Sequence, residues 1–232
     1  MKITTLLFML TWLVNQAISQ ETNIKDWEVG ISFGEIPILA GSFKPGLSVG
    51  YHFNEYLYLG GIYQIVDNIQ RNDKSFDAKS LGFTNLQSSK ERVAPRAILH
   101  ARVRPHKRAP FISFGIVSNG EDEETAIFGD GINQIGNGSY DGPVTVKTKR
   151  KAAIRPALGV GYHYDFKNGI TVSTEWTFNW FNPVPEPELE FITDYEIEAD
   201  DLAIKTSEIV YDFQDNFHNR YHIFHLGVGY KF

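Results

Sequence analysis

The chain lacks cysteine, and its mature part has no apolar run long enough for a membrane-spanning helix. Without cysteine it can form no disulfide, thiolate metal site or lipidated anchor. Positive charge is also scarce, because 22 lysines and arginines face 28 acidic residues and give a formal net charge of -6. A negative net charge argues against nucleic acid as a partner. These absences exclude thiol chemistry and disfavour nucleic-acid binding.

Residues 1–19 have the pattern of a secretory signal peptide. Met1-Lys2 gives a positive start, the following residues are mostly apolar, and Ala17-Ile18-Ser19 is a small-x-small cleavage pattern. An amino-terminal membrane helix is the alternative. It would need about 20 apolar residues, and the apolar run here is shorter. We therefore expect cleavage before Gln20 and one mature domain over residues 20–232.

Apolar residues recur at every second position in eight segments of the mature chain. A period of two indicates a β-strand with one apolar face and one polar or small face. All but the fifth segment offer roughly the 9–11 residues that a tilted membrane strand needs. The eight segments are 27–34, 43–53, 56–66, 93–103, 112–116, 154–165, 170–180 and 220–232.

The two faces of these strands differ in a way that favours a membrane barrel. The polar face is rich in glycine and carries charges of both signs, whereas the apolar face holds large aliphatic and aromatic residues. A lipocalin-like soluble barrel has the reverse arrangement, with an apolar interior. The sequence therefore predicts an all-β fold, a single eight-stranded antiparallel transmembrane up-and-down β-barrel.

Connections between the strands mostly alternate in length, with the short connection 35–41 as the exception on the long-loop side. Short turns on one side and long loops on the other are typical of outer-membrane barrels, which have short periplasmic turns. The last long loop is strongly acidic and is expected to be a solvated surface loop, and the loop before it is glycine-rich and expected to be mobile. The short turns are 54–55, 105–109 and 167–169, and the long loops are 67–92, 118–150 and 181–219.

The whole mature chain resembles the small bacterial outer-membrane β-barrel superfamily of OmpA/OmpX-like and OmpW-like proteins. The resemblance rests on the signal peptide, the eight alternating strands, the loop asymmetry and the terminal Tyr230-Lys231-Phe232. It implies an outer-membrane monomer with periplasmic termini that contacts lipids and is recognised by the barrel-assembly machinery. The residues of the implied assembly signal are Phe224, Leu226, Val228, Tyr230 and Phe232.

Charged and polar side chains on the inward face are the candidate functional residues. An eight-stranded barrel is about wide enough for side chains to fill its interior, and unpaired charges there would be costly. We therefore expect Glu28 and Glu175 to pair with Arg96 and Arg155. The lumen-facing candidates are Glu28, Lys44, His52, Arg96, His100, Arg102, Arg104, Arg155, His163, Asp165 and Glu175.

These features favour a structural or surface-interaction barrel with a filled lumen, whose long loops meet an extracellular ligand. One alternative is a narrow channel for small solutes, because an arginine cluster can set pore selectivity. The other is a lipid-modifying enzyme with an activated serine, for which His52 with Ser48 and His163 with Ser173 and Glu175 are the inward-facing sets. The sequence indicates no catalytic residue, metal or cofactor with a specific motif.

Overall fold

The computed structural model describes residues 27–35, 44–72, 81–180, 186–216 and 220–232. The predicted signal peptide and the connection after the first strand lie outside these ranges. Within them the chain forms fifteen strands and one helix, α1 (Ala199–Asn216). The strands are β1 (Trp27–Glu35), β2 (Lys44–His52), β3 (Leu57–Gln64), β4 (Asp67–Asn72), β5 (Leu86–Val93), β6 (Arg96–Val103), β7 (Phe111–Asn119), β8 (Asp122–Phe128), β9 (Ile132–Ile135), β10 (Gly138–Asp141), β11 (Val144–Arg150), β12 (Ala153–Asp165), β13 (Ile170–Trp180), β14 (Glu188–Thr193) and β15 (Arg220–Lys231).

Eight strands close into an antiparallel barrel in the order β1-β2-β3-β6-β7-β12-β13-β15, and β15 pairs with β1. At the seam the backbone nitrogen of Phe232 donates to the Trp27 carbonyl at 2.9 Å. Each predicted segment corresponds to one barrel strand, so the prediction of an eight-stranded antiparallel barrel is confirmed. The fifth strand is longer than predicted. The apolar Val117 faces inward and the polar Ser118 outward, so the apolar and polar faces are exchanged there, and the sequence pattern ends before the strand does.

Burial in the barrel strands is the reverse of that in a soluble protein. On β2 the apolar Leu47 is 66% exposed on the outer face, whereas Lys44 and His52 are buried inside. The other barrel strands also expose apolar residues on the outer face, and their interior residues are mostly polar or small. In the described part of the barrel, the large apolar or aromatic residues buried inside are Tyr58, Ile62, Ile98, Phe111 and Val117. Such an outer face is stable in lipid and costly in water. The barrel strands are therefore built to span a membrane.

Three short turns lie at one end of the barrel, which we call the turn end, together with the carboxyl terminus. In the turn between β2 and β3, the Asn54 side-chain oxygen accepts hydrogen bonds from the backbone nitrogens of Tyr56 and Leu57, at 2.8 and 2.9 Å. In the turn between β12 and β13, Gly169 has a φ of 91°. Glycine adopts this left-handed conformation without a steric penalty, as the sequence predicted for this position.

The long connections at the opposite end form a second sheet, which we call the distal sheet. Its five strands lie in the order β4-β5-β8-β11-β14, and β9 pairs with β10 in a separate hairpin. The order matches that of the barrel strands β3, β6, β7, β12 and β13, because each distal strand adjoins one of them in the chain. The described residues of 118–150 and 181–219 therefore include strands and a helix, and the expectation that these segments are loops is wrong for them.

The distal sheet has a hydrophobic core of its own. Helix α1 contributes Ile209 to this core, which includes Phe128, Ile135, Val144 and Val146 from the strands. Two aspartates in the first turn of α1 suit the positive end of the helix dipole. In the part of the chain that the structure describes, no helix is long and apolar enough to cross a membrane.

Candidate functional site

The centre of the lumen is occupied by a buried ion pair between Arg102 on β6 and Glu175 on β13. The Nη2 and Nε atoms of Arg102 donate to Glu175 Oε2 at 2.8 and 3.0 Å. The other carboxylate oxygen, Oε1, accepts hydrogen bonds from the hydroxyls of Ser113 and Thr177 and lies 3.3 Å from His100 Nδ1. This single carboxylate therefore binds side chains from β6, β7 and β13.

Two aromatic rings enclose the Arg102 guanidinium. Its central carbon lies 4.9 Å from the ring centroid of Tyr58 and 4.8 Å from that of Phe111. These distances are within the range of attractive cation–π contacts. The Tyr58 ring fits because Gly50 and Gly60 lie against it, where a Cβ atom at either position would overlap the ring. The ion pair and the two rings together form a layer that we call the central plug.

A second cluster lies between the central plug and the turn end. His52 Nε2 is 2.7 Å and His163 Nε2 is 3.5 Å from Glu28 Oε2. His163 Nε2 also lies 2.8 Å from Asp165 Oδ1. Glu28, His52 and His163 are each less than 10% exposed. We call these three residues the histidine cluster.

The sheet end of the lumen is filled by a third set of polar contacts. Lys44 Nζ donates to the Ala94 carbonyl, and Gln64 Nε2 donates to the Gly34 carbonyl at 2.8 Å. Arg96 Nη2 lies 3.5 Å from Oδ2 of Asp122, the first residue of β8. Ile62, Ile98 and Val117 form a further buried, apolar cluster on the inner face of the barrel. The lumen is thus filled by polar clusters at its centre and towards both ends, together with this apolar cluster.

The structure buries most of the predicted lumen residues inside the barrel, and Arg155 and Asp165 are half-buried near its two ends. The predicted pairings of Glu28 and Glu175 are wrong. Glu175 pairs with Arg102, and Glu28 lies against the two histidines, because the stagger between strands sets which side chains share a level. The buried residues of the predicted set are Glu28, Lys44, His52, Arg96, His100, Arg102, Arg104, His163 and Glu175.

The structure also identifies interior residues that were absent from the predicted set. Tyr58 and Phe111 form the walls of the central plug, and His225 is buried on β15 in register with Glu175. Neither ring nitrogen of His225 has a hydrogen-bond partner among the described residues. The alternation of β15 places His225 on the polar face, so its inward orientation could have been predicted from the sequence. The inward orientation of Phe111 could not have been predicted in this way, because it is an aromatic residue on a polar face.

The serine and histidine sets considered for catalysis do not form a nucleophile. Ser173 is the cross-strand partner of His163, as the hairpin register predicted. Among the described residues, however, neither Ser48 nor Ser173 hydrogen-bonds to a histidine, because the histidines face carboxylates. As the structure describes them, these two sets therefore lack the serine–histidine hydrogen bond that activates a serine nucleophile.

A cavity of about 20 Å³ lies beside the central plug and the histidine cluster. His52, Tyr58, Arg102 and His163 contribute to its lining, together with residues of the turn between β2 and β3. A volume of this order holds about one water molecule. The space inside this part of the barrel is thus too small for an organic solute.

No protein-family model and no curated protein matches the sequence. Among solved structures, the fold is similar to that of Acinetobacter baumannii CarO2, with a TM-score of 0.55 and 16% identity over 88% of this chain and 98% of that one. CarO from the same organism matches with a TM-score of 0.51 and 14% identity over 88% of this chain and 97% of that one. At this identity the similarity concerns the fold alone. The chain has the fold of the small bacterial outer-membrane eight-stranded β-barrels.

Proposed function

We propose that this protein is a bacterial outer-membrane barrel with a closed lumen, and that it displays the distal sheet and helix α1 at the cell surface. Its role in this proposal is structural or surface-interacting rather than transport. The observation that carries the proposal is the central plug. There, Arg102 makes two hydrogen bonds to Glu175, and its guanidinium lies between two aromatic rings in the lumen.

The membrane location rests on the apolar outer face and on the orientation of the turns. Outer-membrane barrels have short turns in the periplasm and longer loops outside. On this basis the turn end and both termini face the periplasm, and the distal sheet faces outward. The lipids of the outer membrane cover the exposed band, and a closed barrel has no free strand edge that would require a partner within the bilayer. The proposal is therefore a monomer.

A closed lumen is favoured over a narrow anion channel. The basic residues of β6, with Arg104 directly after it, would line such a channel. However, Arg102 is bound to Glu175, and Arg104 lies 3.5 Å from Asp165. A buried, paired arginine is a poor ligand for a passing anion, because its charge is already compensated. The small cavity beside the plug supports the same preference.

The distal sheet supports a surface-interaction role. Its core holds the described parts of the predicted long loops in one folded unit, so that a ligand outside the cell would meet a shaped surface. Pre-organised surfaces lose less conformational entropy on binding than flexible loops do. The proposed ligand site therefore lies on the described residues within 67–92, 118–150 and 181–219.

Single-channel recording in a planar bilayer tests the closed lumen. We expect the refolded mature wild-type chain to be silent, and the double variant Arg102→Ala/Glu175→Ala to give discrete current steps. A control variant, Lys147→Ala/Glu190→Ala, removes an exposed pair of the distal sheet whose charged atoms lie 3.2 Å apart, and it should remain silent. Gel mobility without boiling verifies that each variant is folded. Reproducible steps from the wild type would contradict the proposal and favour the channel.

A further inference from the structure

We propose that the histidine cluster of Glu28, His52 and His163 is a binding site for a divalent transition metal, with Zn²⁺ as the best-fitting ion. Two imidazoles and one carboxylate form a ligand set typical of zinc centres in proteins. The three residues lie on β1, β2 and β12, and all are buried in the lumen. No sequence motif predicts the site, because its ligands come from strands that are distant from one another in the chain.

The ligand atoms are close enough together to share one ion. One nitrogen from each histidine and one Glu28 oxygen all lie within 4.8 Å of one another. In a tetrahedral zinc site with bonds of about 2.0–2.2 Å, neighbouring ligand atoms are about 3.3 Å apart. The His163–Glu28 distance of 3.5 Å already fits this value, and the His52–Glu28 distance of 2.7 Å has to lengthen slightly. Zinc binding therefore requires rotation of the His52 side chain. It also requires His163 Nε2 to exchange its contact with Asp165 Oδ1, at 2.8 Å, for a bond to the ion.

The surroundings of the cluster provide the remaining features of a metal site. The Thr171 hydroxyl donates to the second Glu28 oxygen at 3.1 Å and orients the carboxylate. Outer hydrogen bonds of this kind fix the ligands of protein metal sites. The cavity of about 20 Å³ borders both histidines and has room for one water as a fourth ligand. Residues of the β2–β3 turn also line this cavity, which gives the ion an approach from the turn end.

The charges around the cluster are compatible with a dication. Arg104 and Lys231 lie 3.5 and 4.0 Å from Asp165, which compensates part of their charge. Among the described residues, Glu28 forms no ion pair with an arginine or lysine, and its direct contacts are the two histidines and Thr171. Arg102 and Lys231 interact with it only at longer range. The carboxylate is therefore available to an ion. Neutral imidazole and carboxylate ligands favour Zn²⁺, Ni²⁺ or Cu²⁺ over Ca²⁺ or Mg²⁺.

Zinc titration of the refolded, metal-free mature chain, prepared without a histidine tag, tests the proposal. Isothermal titration calorimetry should give one Zn²⁺ per chain, and zinc should raise the urea midpoint of unfolding. His163→Asn and His52→Asn should each weaken zinc binding at least 10-fold. His225→Asn is the matched control, because His225 is equally buried in the lumen but lies against Glu175, and it should bind zinc as the wild type does.

Loss of zinc binding in His225→Asn equal to that in His163→Asn, or unchanged binding in both cluster variants, would overturn the proposal. So would the absence of stoichiometric zinc in the wild type. If the cluster variants do not fold, X-ray absorption of the zinc-loaded wild type decides. Two imidazole nitrogens and one or two oxygens around the ion support the site, and a shell without two imidazoles refutes it.

Discussion

Arg102 and Glu175 show how a residue pair in the lumen depends on both of its members. Replacing Arg102 with methionine is expected to destabilise the barrel by about 3–5 kcal/mol, because it leaves Glu175 buried with an uncompensated charge. The double variant Arg102→Met/Glu175→Leu should lose less than the sum of its single variants, since no charge is stranded. Urea unfolding in lipid vesicles, followed by gel mobility, measures these free energies of unfolding.

A matched control is available in the distal sheet. Lys147 and Glu190 form an exposed pair on neighbouring strands, and exposed pairs contribute about 0–1 kcal/mol. Lys147→Met should therefore change the free energy of unfolding by no more than that. A loss for Arg102→Met as small as that for Lys147→Met would mean that Glu175 is hydrated in the lumen.

The depth of an outward-facing residue should decide the cost of placing a charge there. Val160 lies in mid-strand on β12, 49% exposed between Ile112 and Trp176 of the neighbouring strands. Ile154 lies on the same face of β12 near the sheet end and is 72% exposed. In a bilayer, Val160→Arg should lower the free energy of unfolding by about 2–4 kcal/mol, and Ile154→Arg should lower it by about 0–1 kcal/mol. Equal unfolding free energies would place the lipid boundary elsewhere.

At this scale the sequence determined the face of a residue better than its partner. The period of two placed Lys44, His100 and Glu175 inward, and each is buried there. It could not show that Glu175 meets Arg102, because partners across the lumen depend on the stagger of all eight strands. Nor could it show that Gly159 packs against the Ser113 hydroxyl, so closely that a Cβ atom would overlap it.

Among the elements, helix α1 is attached to the β9–β10 hairpin through one carboxylate. Tyr140 donates its hydroxyl to Asp201 Oδ2 at 2.7 Å, and the backbone nitrogen of Asn137 donates to Oδ1 at 2.9 Å. The hydrogen bond from Tyr140 is the main cause that holds the pKa of Asp201 below its usual value. A lowered pKa means that the folded protein stabilises the ionised carboxylate of Asp201 more than the unfolded chain does.

The attachment of α1 should therefore weaken in acid. The contribution of Asp201 is fully present above about pH 4, the unfolded value, and is lost as the pH falls through the lower folded value. Hydrogen exchange of α1 amides, referred to the intrinsic rate at each pH, should show reduced protection at pH 3 relative to pH 6. Asp201→Asn should reduce protection at pH 6 and remove much of this pH difference. An unchanged pH difference in Asp201→Asn would contradict the assignment.

The distal elements were the least predictable part of the fold. The acidic composition of 181–219 suggested a solvated loop, yet its described residues include β14 and α1. Charge counts average over both faces of an element, so they concealed the apolar positions Leu189, Phe191 and Ile209 that pack on the distal core. The strands there are only four to eight residues long, and their pairings connect distant parts of the chain, which local alternation does not reveal.

For the whole molecule, the carboxyl-terminal residue is expected to matter more for assembly than for stability. Phe232 is 55% exposed on the barrel, while its backbone exchanges hydrogen bonds with Trp27 at the seam. Phe232→Ser keeps that backbone pairing but removes the aromatic side chain of the predicted assembly signal. We expect a marked loss of folded protein in the outer membrane, measured by heat-modifiable gel mobility, with little change in refolding into detergent micelles.

Two results would contradict this expectation. A normal folded yield in cells would remove the assembly role of Phe232, and an equal loss in micelles would make its effect one of stability. Phe166→Ser is a suitable control, because Phe166 is also an exposed aromatic residue at the turn end but lies outside the last strand. It should leave the folded yield in cells close to that of the wild type.

The continuity between the barrel and the distal sheet has a mechanical consequence. Four of the five distal strands are separated from their barrel strands by only two residues, and neighbours in the barrel remain neighbours above it. A force applied to the distal sheet is therefore transmitted along several barrel strands at once. The hydrogen bonds between these strands are perpendicular to the force and are loaded in shear. Many bonds must then break together rather than one after another. A tether held by this surface would transmit tension into the membrane-embedded wall without first unravelling a loop.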